Sequence, residues 1–226
     1  MEQMPYRMYK TVLLFLFLLS AITSLAQEQR FITSDSVNLY LKVTGKGTPC
    51  LYIHGGPGSG SYWLEKFSGE ILEKRFTMIY LDLRGVGRST SPVNNDYSMD
   101  RMVRDFEEIR KQLGIEQWVI MGHSFSGTTV TGYALRHPTS IKGMMMFNCV
   151  LDIEESINES WIPYACSILG ITDLSYYNND AISTHEKLNS LFRILKKKDL
   201  SWKMTFANKE NEAKMNSTFS EIPNWN

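Results

Sequence analysis

The chain has 226 residues, 43% of them hydrophobic and 21% charged, an ordinary balance for a soluble globular domain with one sizeable core. Lys plus Arg number 24 and Asp plus Glu also 24, so the formal net charge is zero. That neutrality argues against nucleic acid as a partner, because phosphate binding needs a basic surplus.

The N-terminus departs from the average first. Arg7 and Lys10 precede an apolar run from Thr11 to Leu19, and Ser24-Leu25-Ala26 follows ahead of Gln27. A positive start, a short apolar middle and small residues at a cleavage site describe a secretory signal peptide, residues 1–26. The run is shorter than the roughly 20 residues a spanning helix needs. Cleavage after Ala26 is expected, leaving a secreted or periplasmic protein with no membrane association. An uncleaved anchor is the other reading.

Residues 27–151 read as a core. From Arg30 to Val43 the sequence alternates, with Val37, Leu39, Leu41 and Val43 on one face, which predicts an antiparallel hairpin at a sheet edge. Four runs, Pro49–His54, Phe76–Asp82, Gln117–Gly122 and Lys142–Val150, are apolar throughout and suit strands buried on both faces of a parallel sheet. Between them Met99, Met102, Val103, Phe106, Ile109 and Leu113 recur at helical spacing, and Gly114 ends that helix. Phe125–Arg136 reads as the next helix, closed by His137-Pro138. The alternation predicts an α/β fold with a mostly parallel, doubly wound sheet. Residues 152–226 lack a clear buried strand, look helical, and read as a cap or lid region. Lys196-Lys197-Lys198 reads as a solvated face.

Three cysteines, Cys50, Cys149 and Cys166, are an odd number without CxxC spacing, so neither a disulfide framework nor a zinc site is indicated. Cys50 and Cys149 fall in apolar runs and read as small core residues.

Three motifs carry the chemistry, each directly after a predicted strand. Gly122-His123-Ser124-Phe125-Ser126-Gly127 has the form of a nucleophile elbow, where small residues two before and two after the serine let strand and helix approach closely. Serine at position 126 stands where glycine is usual, and slight strain is expected there. His54-Gly55-Gly56-Pro57-Gly58 offers glycines whose backbone can approach a substrate. An oxyanion hole needs N–H groups aimed in advance at the developing charge, and Gly56 and Phe125 are the candidate donors. Asp82-Leu83-Arg84-Gly85-Val86-Gly87-Arg88-Ser89 lies at the same carboxyl edge of the sheet, with Asp82 and Arg84 expected to hold the loop in shape. His54 is expected to brace its loop.

In that order and spacing, HGGPG, DLRGVGRS and GHSFSG resemble α/β-hydrolases of the proline iminopeptidase type, over about Phe31 to Val150. The resemblance implies an α/β-hydrolase fold with an N-terminal antiparallel hairpin and a C-terminal helical cap. It implies hydrolysis through an acyl-enzyme on Ser124, often releasing an N-terminal residue from a small or short-peptide substrate, without metal or cofactor. A carboxylic ester hydrolase on the same scaffold is the alternative. Serine at 124 disfavours relatives that use an aspartate nucleophile. An aminopeptidase should offer acidic groups to the substrate amine, and Glu154 and Glu155 are candidates.

A serine nucleophile needs a base oriented by a carboxylate, and in this fold these follow later, as Asp or Glu and then His. Only His137 and His185 come after Ser124. The final strands and both partners are therefore expected beyond Asn226, leaving this chain inactive alone. A non-catalytic exported binding protein, or an unusual site using His185 and Asp152, are the other readings.

Overall fold

The computed structural model describes residues 27–56 and 58–222. The expected signal segment, Pro57 and the last four residues lie outside them.

A six-stranded mixed sheet forms the base. Strands β1 (Gln27–Ile32) and β2 (Asn38–Gly45) make the expected hairpin, with Phe31 opposite Leu39. Its turn is closed by Thr33, whose hydroxyl accepts from the Val37 amide at 3.0 Å, and by Ser36 at φ +66°. Leu39 and Leu41 are fully buried beside Val37, and Tyr40 is buried on the opposite face. Next come β3 (Thr48–Ile53), β4 (Phe76–Asp82), β5 (Trp118–His123) and β6 (Ile141–Phe147). The order across the sheet is β1-β2-β4-β3-β5-β6, antiparallel as far as β4 and parallel from there. Parallel neighbours need crossovers, and helices α1 (Tyr62–Leu72), α2 (Met99–Gln112) and α3 (Gly127–Arg136) supply them.

Helices α2 and α3 cover one face over a core containing Leu51, Ile53, Ile79, Leu81, Phe106 and Ile120. Helix α1 covers part of the other, over Cys50, Tyr52, Met78, Tyr80 and Met121. Composition did not mark α1, and the structure shows why. The side chain of its N-terminal serine, Ser61, makes no capping bond to the helix, and Gly69, a poor helix former, lies within it.

Strand β6 corrects an expectation. Its apolar run predicted burial on both faces, yet Met144 and Phe147 are each 48% exposed. Among the described residues it pairs with β5 alone and forms the sheet edge. Cys149 falls outside the strand and is only half-buried, whereas Cys50 is fully buried. All three cysteines are free thiols, and burial pushes Cys50 up to about 12.

A buried polar chain ties the core helices to β5. Trp118 Nε1 donates to the Tyr133 hydroxyl at 3.0 Å, and Tyr133 donates to Glu107 at 2.7 Å. Arg110 grips the same carboxylate with two hydrogen bonds of 2.7 and 2.8 Å. The Arg110 pair, outweighing burial and helped by Tyr133, lowers Glu107 to about 2. A carboxyl depressed in the folded state stabilises the protein above its unfolded value, and that contribution fades as pH falls through the folded value. Glu107→Gln is therefore expected to destabilise the protein at pH 7, with the gap to wild type closing between about pH 4.5 and 2. Urea titrations across that range test this, and a pH-independent gap would contradict it.

Beyond β6 the described chain is helical. Helix α4 (Ile153–Ser156) runs through a π turn (Ile157–Trp161) into α5 (Ile162–Leu169), followed by α6 (Thr184–Lys197) and α7 (Lys209–Glu221). Helices α5 and α6 enclose a small core of their own around Ile162, Ala165, Cys166, Leu191 and Leu195. Glu221 reaches back to Tyr62 and Lys66 on α1, joining the last helix to the base. Lys196, Lys197 and Lys198 are exposed, as their composition suggests.

Candidate active site

Three loops meet at the carboxyl ends of β3, β4 and β5. Ser124 follows the last residue of β5 and opens the single turn that leads into α3. Its φ is +55°, a left-handed conformation uncommon for a residue with a Cβ. Such strain concentrates where a side chain must be held in a particular place.

The surrounding small residues make that bend possible. A Cβ on Gly55 would lie 2.8 Å from both the Ser124 Cβ and the His123 carbonyl, so the His54-Gly55-Gly56 turn abuts the serine backbone directly. A Cβ on Gly122 would strike Val130 at 2.6 Å, and one on Gly127 would strike the Val150 carbonyl at 2.3 Å. Gly56 has φ +135°, open only to glycine.

Ser126 departs from expectation. Its φ of −69° is ordinary, so the strain sits at Ser124 instead. Its hydroxyl accepts from the His123 amide at 2.7 Å and donates to the His123 carbonyl at 3.0 Å. Serine at this position stitches the elbow closed.

The second loop is anchored through Asp82, which has no exposed surface. Its Oδ1 accepts from the Ser61 amide and hydroxyl at 2.8 and 2.7 Å. Its Oδ2 accepts from the Arg88 amide and guanidinium at 3.0 and 2.7 Å. Burial works to raise this carboxyl, but the Arg88 guanidinium and the N–H donors outweigh it and hold it below the usual carboxylate range. Asp82 thus pairs with Arg88. Arg84 turns the other way, to Asp105 at 2.7 Å and Asp35 at 3.0 Å, and clamps the loop to α2 and the hairpin turn. His54 is 2% exposed, and its Nε2 accepts from the Leu83 amide at 3.1 Å. Burial lowers its basicity, so it braces the two loops as a neutral imidazole.

In front of Ser124 lies a cavity of about 690 Å³. The base contributes Trp63, His123 and Asn148 to its wall, and the cap contributes Ser160, Trp161 and Phe206. Trp63 stacks edge-on to His123 at 5.0 Å, and His123 Nδ1 is buried without a hydrogen-bond partner among the described residues. Apart from His123, these wall residues belong to no motif readable in the chain. The cap residues come from separate segments and carry no shared spacing.

The other candidates lie elsewhere. His137 ends α3 against the Tyr133 ring. His185 lines a different depression, with Glu186 and Asn189. Asp152 caps α4, accepting from the Glu155 amide at 2.9 Å. Glu154 and Glu155 are exposed and are not among the residues lining the Ser124 cavity. Among the described residues no side chain is hydrogen-bonded to the Ser124 hydroxyl.

A family model for the alpha/beta hydrolase fold matches residues 48–225. This chain belongs to the α/β-hydrolase fold family. The proline iminopeptidase of Neisseria meningitidis serogroup B is 32% identical to this hydrolase over 116 residues, covering 50% of the chain and 37% of the relative. The proline iminopeptidase of Heyndrickxia coagulans is 30% identical over 148 residues, covering 57% and 49%. A fluoroacetate dehalogenase from Burkholderia sp is 32% identical over 130 residues, covering 56% and 41%. The chain spans less than half the length of these three curated relatives. Among solved structures, a proline iminopeptidase-related protein from Thermus thermophilus superposes with a TM-score of 0.67 at 20% identity, covering 87% of this chain and 66% of that one. That likeness is one of fold.

Proposed function

We propose that this α/β-hydrolase works through an acyl-enzyme with Ser124 as nucleophile, acting on N-terminal residues of short peptides. The observation that carries this reading is the left-handed Ser124 at the turn between β5 and α3, with Gly55 packed against it. The names of the similar curated proteins support peptide amine release over other hydrolyses.

In this reading the Ser124 oxygen attacks the scissile carbonyl carbon as its proton passes to a base. The carbonyl oxygen becomes an oxyanion, which the Gly56 and Phe125 N–H groups stabilise, and the amine leaves with the proton. Water then releases the acyl group by the same route. Losing one such donor costs roughly 100- to 1000-fold in rate. The described residues place neither a histidine nor a carboxylate on Ser124, so residues 27–222 alone are expected to turn over substrate poorly. That same observation favours the second reading, an exported binding protein that keeps the pocket without catalysis. Export rests on segment 1–26 acting as a signal peptide.

An alkyl fluorophosphonate at high pH, where less help from a base is needed, is expected to modify one serine slowly. Peptide mass spectrometry should find the adduct on Ser124, and Ser124→Ala should abolish it. Modification elsewhere, or none, counts against the assignment. Residual activity on L-proline p-nitroanilide above that on p-nitrophenyl acetate supports the peptidase reading, and the reverse order supports an esterase.

A further inference from the structure

A second cavity, of about 280 Å³, lies between α1 and the face of the sheet that this helix covers only in part. Tyr52 of β3, Met121 of β5 and Phe147 of β6 line it from the sheet, and Trp63 and Leu64 line it from α1. Trp63 and His123 also line the cavity of Ser124, so the two spaces share a wall. Among the described residues no Asp, Glu, Lys or Arg lines this cavity, and burial lowers the basicity of His123, which keeps the ring neutral. The exposed Phe147 ring brings the rim to solvent.

Unpartnered polar atoms set the chemistry. Six buried side-chain nitrogen or oxygen atoms of the described residues have no hydrogen-bond partner, and three of them belong to this wall: the Tyr52 hydroxyl, Trp63 Nε1 and His123 Nδ1. Tyr52 has no exposed surface at all. Buried hydroxyls and indole N–H groups ordinarily find partners. The same residue types on this sheet do so: the Tyr80 hydroxyl donates to Glu73 at 3.1 Å, and Trp118 Nε1 donates to Tyr133 at 3.0 Å. Tyr80 packs in the same cluster as Tyr52, and what sets Tyr52 apart is the cavity at its side. Trp63 stands edge-on to both neighbours, its ring centre 6.3 Å from that of Tyr52 and 5.0 Å from that of His123, so aromatic rings frame the space.

We propose that this cavity is a binding site for a neutral, single-ring aromatic alcohol. The ring fills the space between the aromatic walls, and its hydroxyl accepts from Trp63 Nε1 and exchanges a hydrogen bond with the Tyr52 hydroxyl. The indole N–H only donates and the phenol does either, so one ligand hydroxyl answers both. A carboxylate would meet no cation here, and a ring without oxygen would leave both protein groups unanswered. An apolar cavity of roughly 150 Å³ already holds benzene, so the space suffices for one ring. The site adjoins the Ser124 cavity and does not depend on the role of Ser124.

Ligand-observed NMR titration of the whole chain with p-cresol, toluene and p-toluate tests the proposal, since the last two keep the ring and lose the hydroxyl or gain a charge. Saturable binding of p-cresol is expected, tighter than toluene although toluene is the more hydrophobic of the two, with p-toluate weakest. Tyr52→Phe should weaken p-cresol about 3- to 10-fold, the range for one neutral hydrogen bond, and leave toluene unchanged. Its melting temperature should stay level or rise, because the hydroxyl it removes has no partner in the free protein. Trp63→Phe should also weaken p-cresol, and Ser124→Ala should bind as wild type. Toluene binding as tightly as p-cresol would mean an apolar cavity only, and a lower melting temperature for Tyr52→Phe would mean a structural bond at that hydroxyl. Either result would overturn the proposal, as would no saturable p-cresol binding or unchanged p-cresol binding by both Tyr52→Phe and Trp63→Phe.

Discussion

Asp82→Ala is expected to destabilise the protein by about 3–5 kcal/mol, the range for removing one partner of a buried ion pair. The carboxylate is fully enclosed and accepts from Ser61 and Arg88 on both oxygens. Without it, the Arg88 guanidinium stays buried against the Tyr40 ring, 3.5 Å away, with its charge unanswered. For a chain of this size that corresponds to a fall in melting temperature of about 6–20 °C. Arg88→Met in the same background should cost less than it does in wild type, because the liability it removes is the one Asp82→Ala creates. Chemical denaturation of the two single variants and the double variant measures this coupling. Additive losses would mean that the pair contributes nothing as a pair.

Gly127→Ala is expected to cost about 1–3 kcal/mol or more, the range for forcing atoms into a filled space. The new methyl would stand 2.3 Å from the Val150 carbonyl oxygen and 2.9 Å from the Cys149 Cβ. The first of these is backbone, and that backbone is tied to the elbow by the Val150 amide donating to the Ser124 carbonyl at 2.9 Å. Relieving the clash therefore pulls on the nucleophile turn itself. Gly143→Ala provides the contrast, since a Cβ on Gly143 meets nothing within 4 Å. There the smaller entropy of the unfolded chain should leave stability unchanged or raised by about 0.4–1 kcal/mol. Equal losses at the two positions would show that the close approach does not set the cost.

Both variants probe parts of the fold that differ in how plainly the chain announces them. The hairpin, the buried strands and helices α2 and α3 follow from period and punctuation, because burial of one face imposes a repeat on neighbouring residues. The HGGPG and GHSFSG strings follow from a local demand, that backbone approach backbone, which only small residues meet. Helix α1 escaped because its opening serine serves Asp82 and not the helix, a choice made 21 residues away. The exposure of β6 escaped because an apolar run looks the same at a sheet edge as at a sheet centre. Pairing of Asp82 with Arg88, and of Arg84 with Asp35 and Asp105, had the same cause: the motif shows which charges are present and not which way they turn.

The amino-acid sequence by itself determined the strand-turn-helix corner at Ser124, the glycine turn that faces it and the helical character of the segment after β6. Each of these is a local requirement on neighbouring residues. Only the tertiary structure decided what walls the cavity, that Ser126 bolts the corner with its hydroxyl, and that Asp82 turns to Arg88 while Arg84 turns to Asp105. Those facts depend on distances between residues far apart in the chain, and no periodicity records such distances.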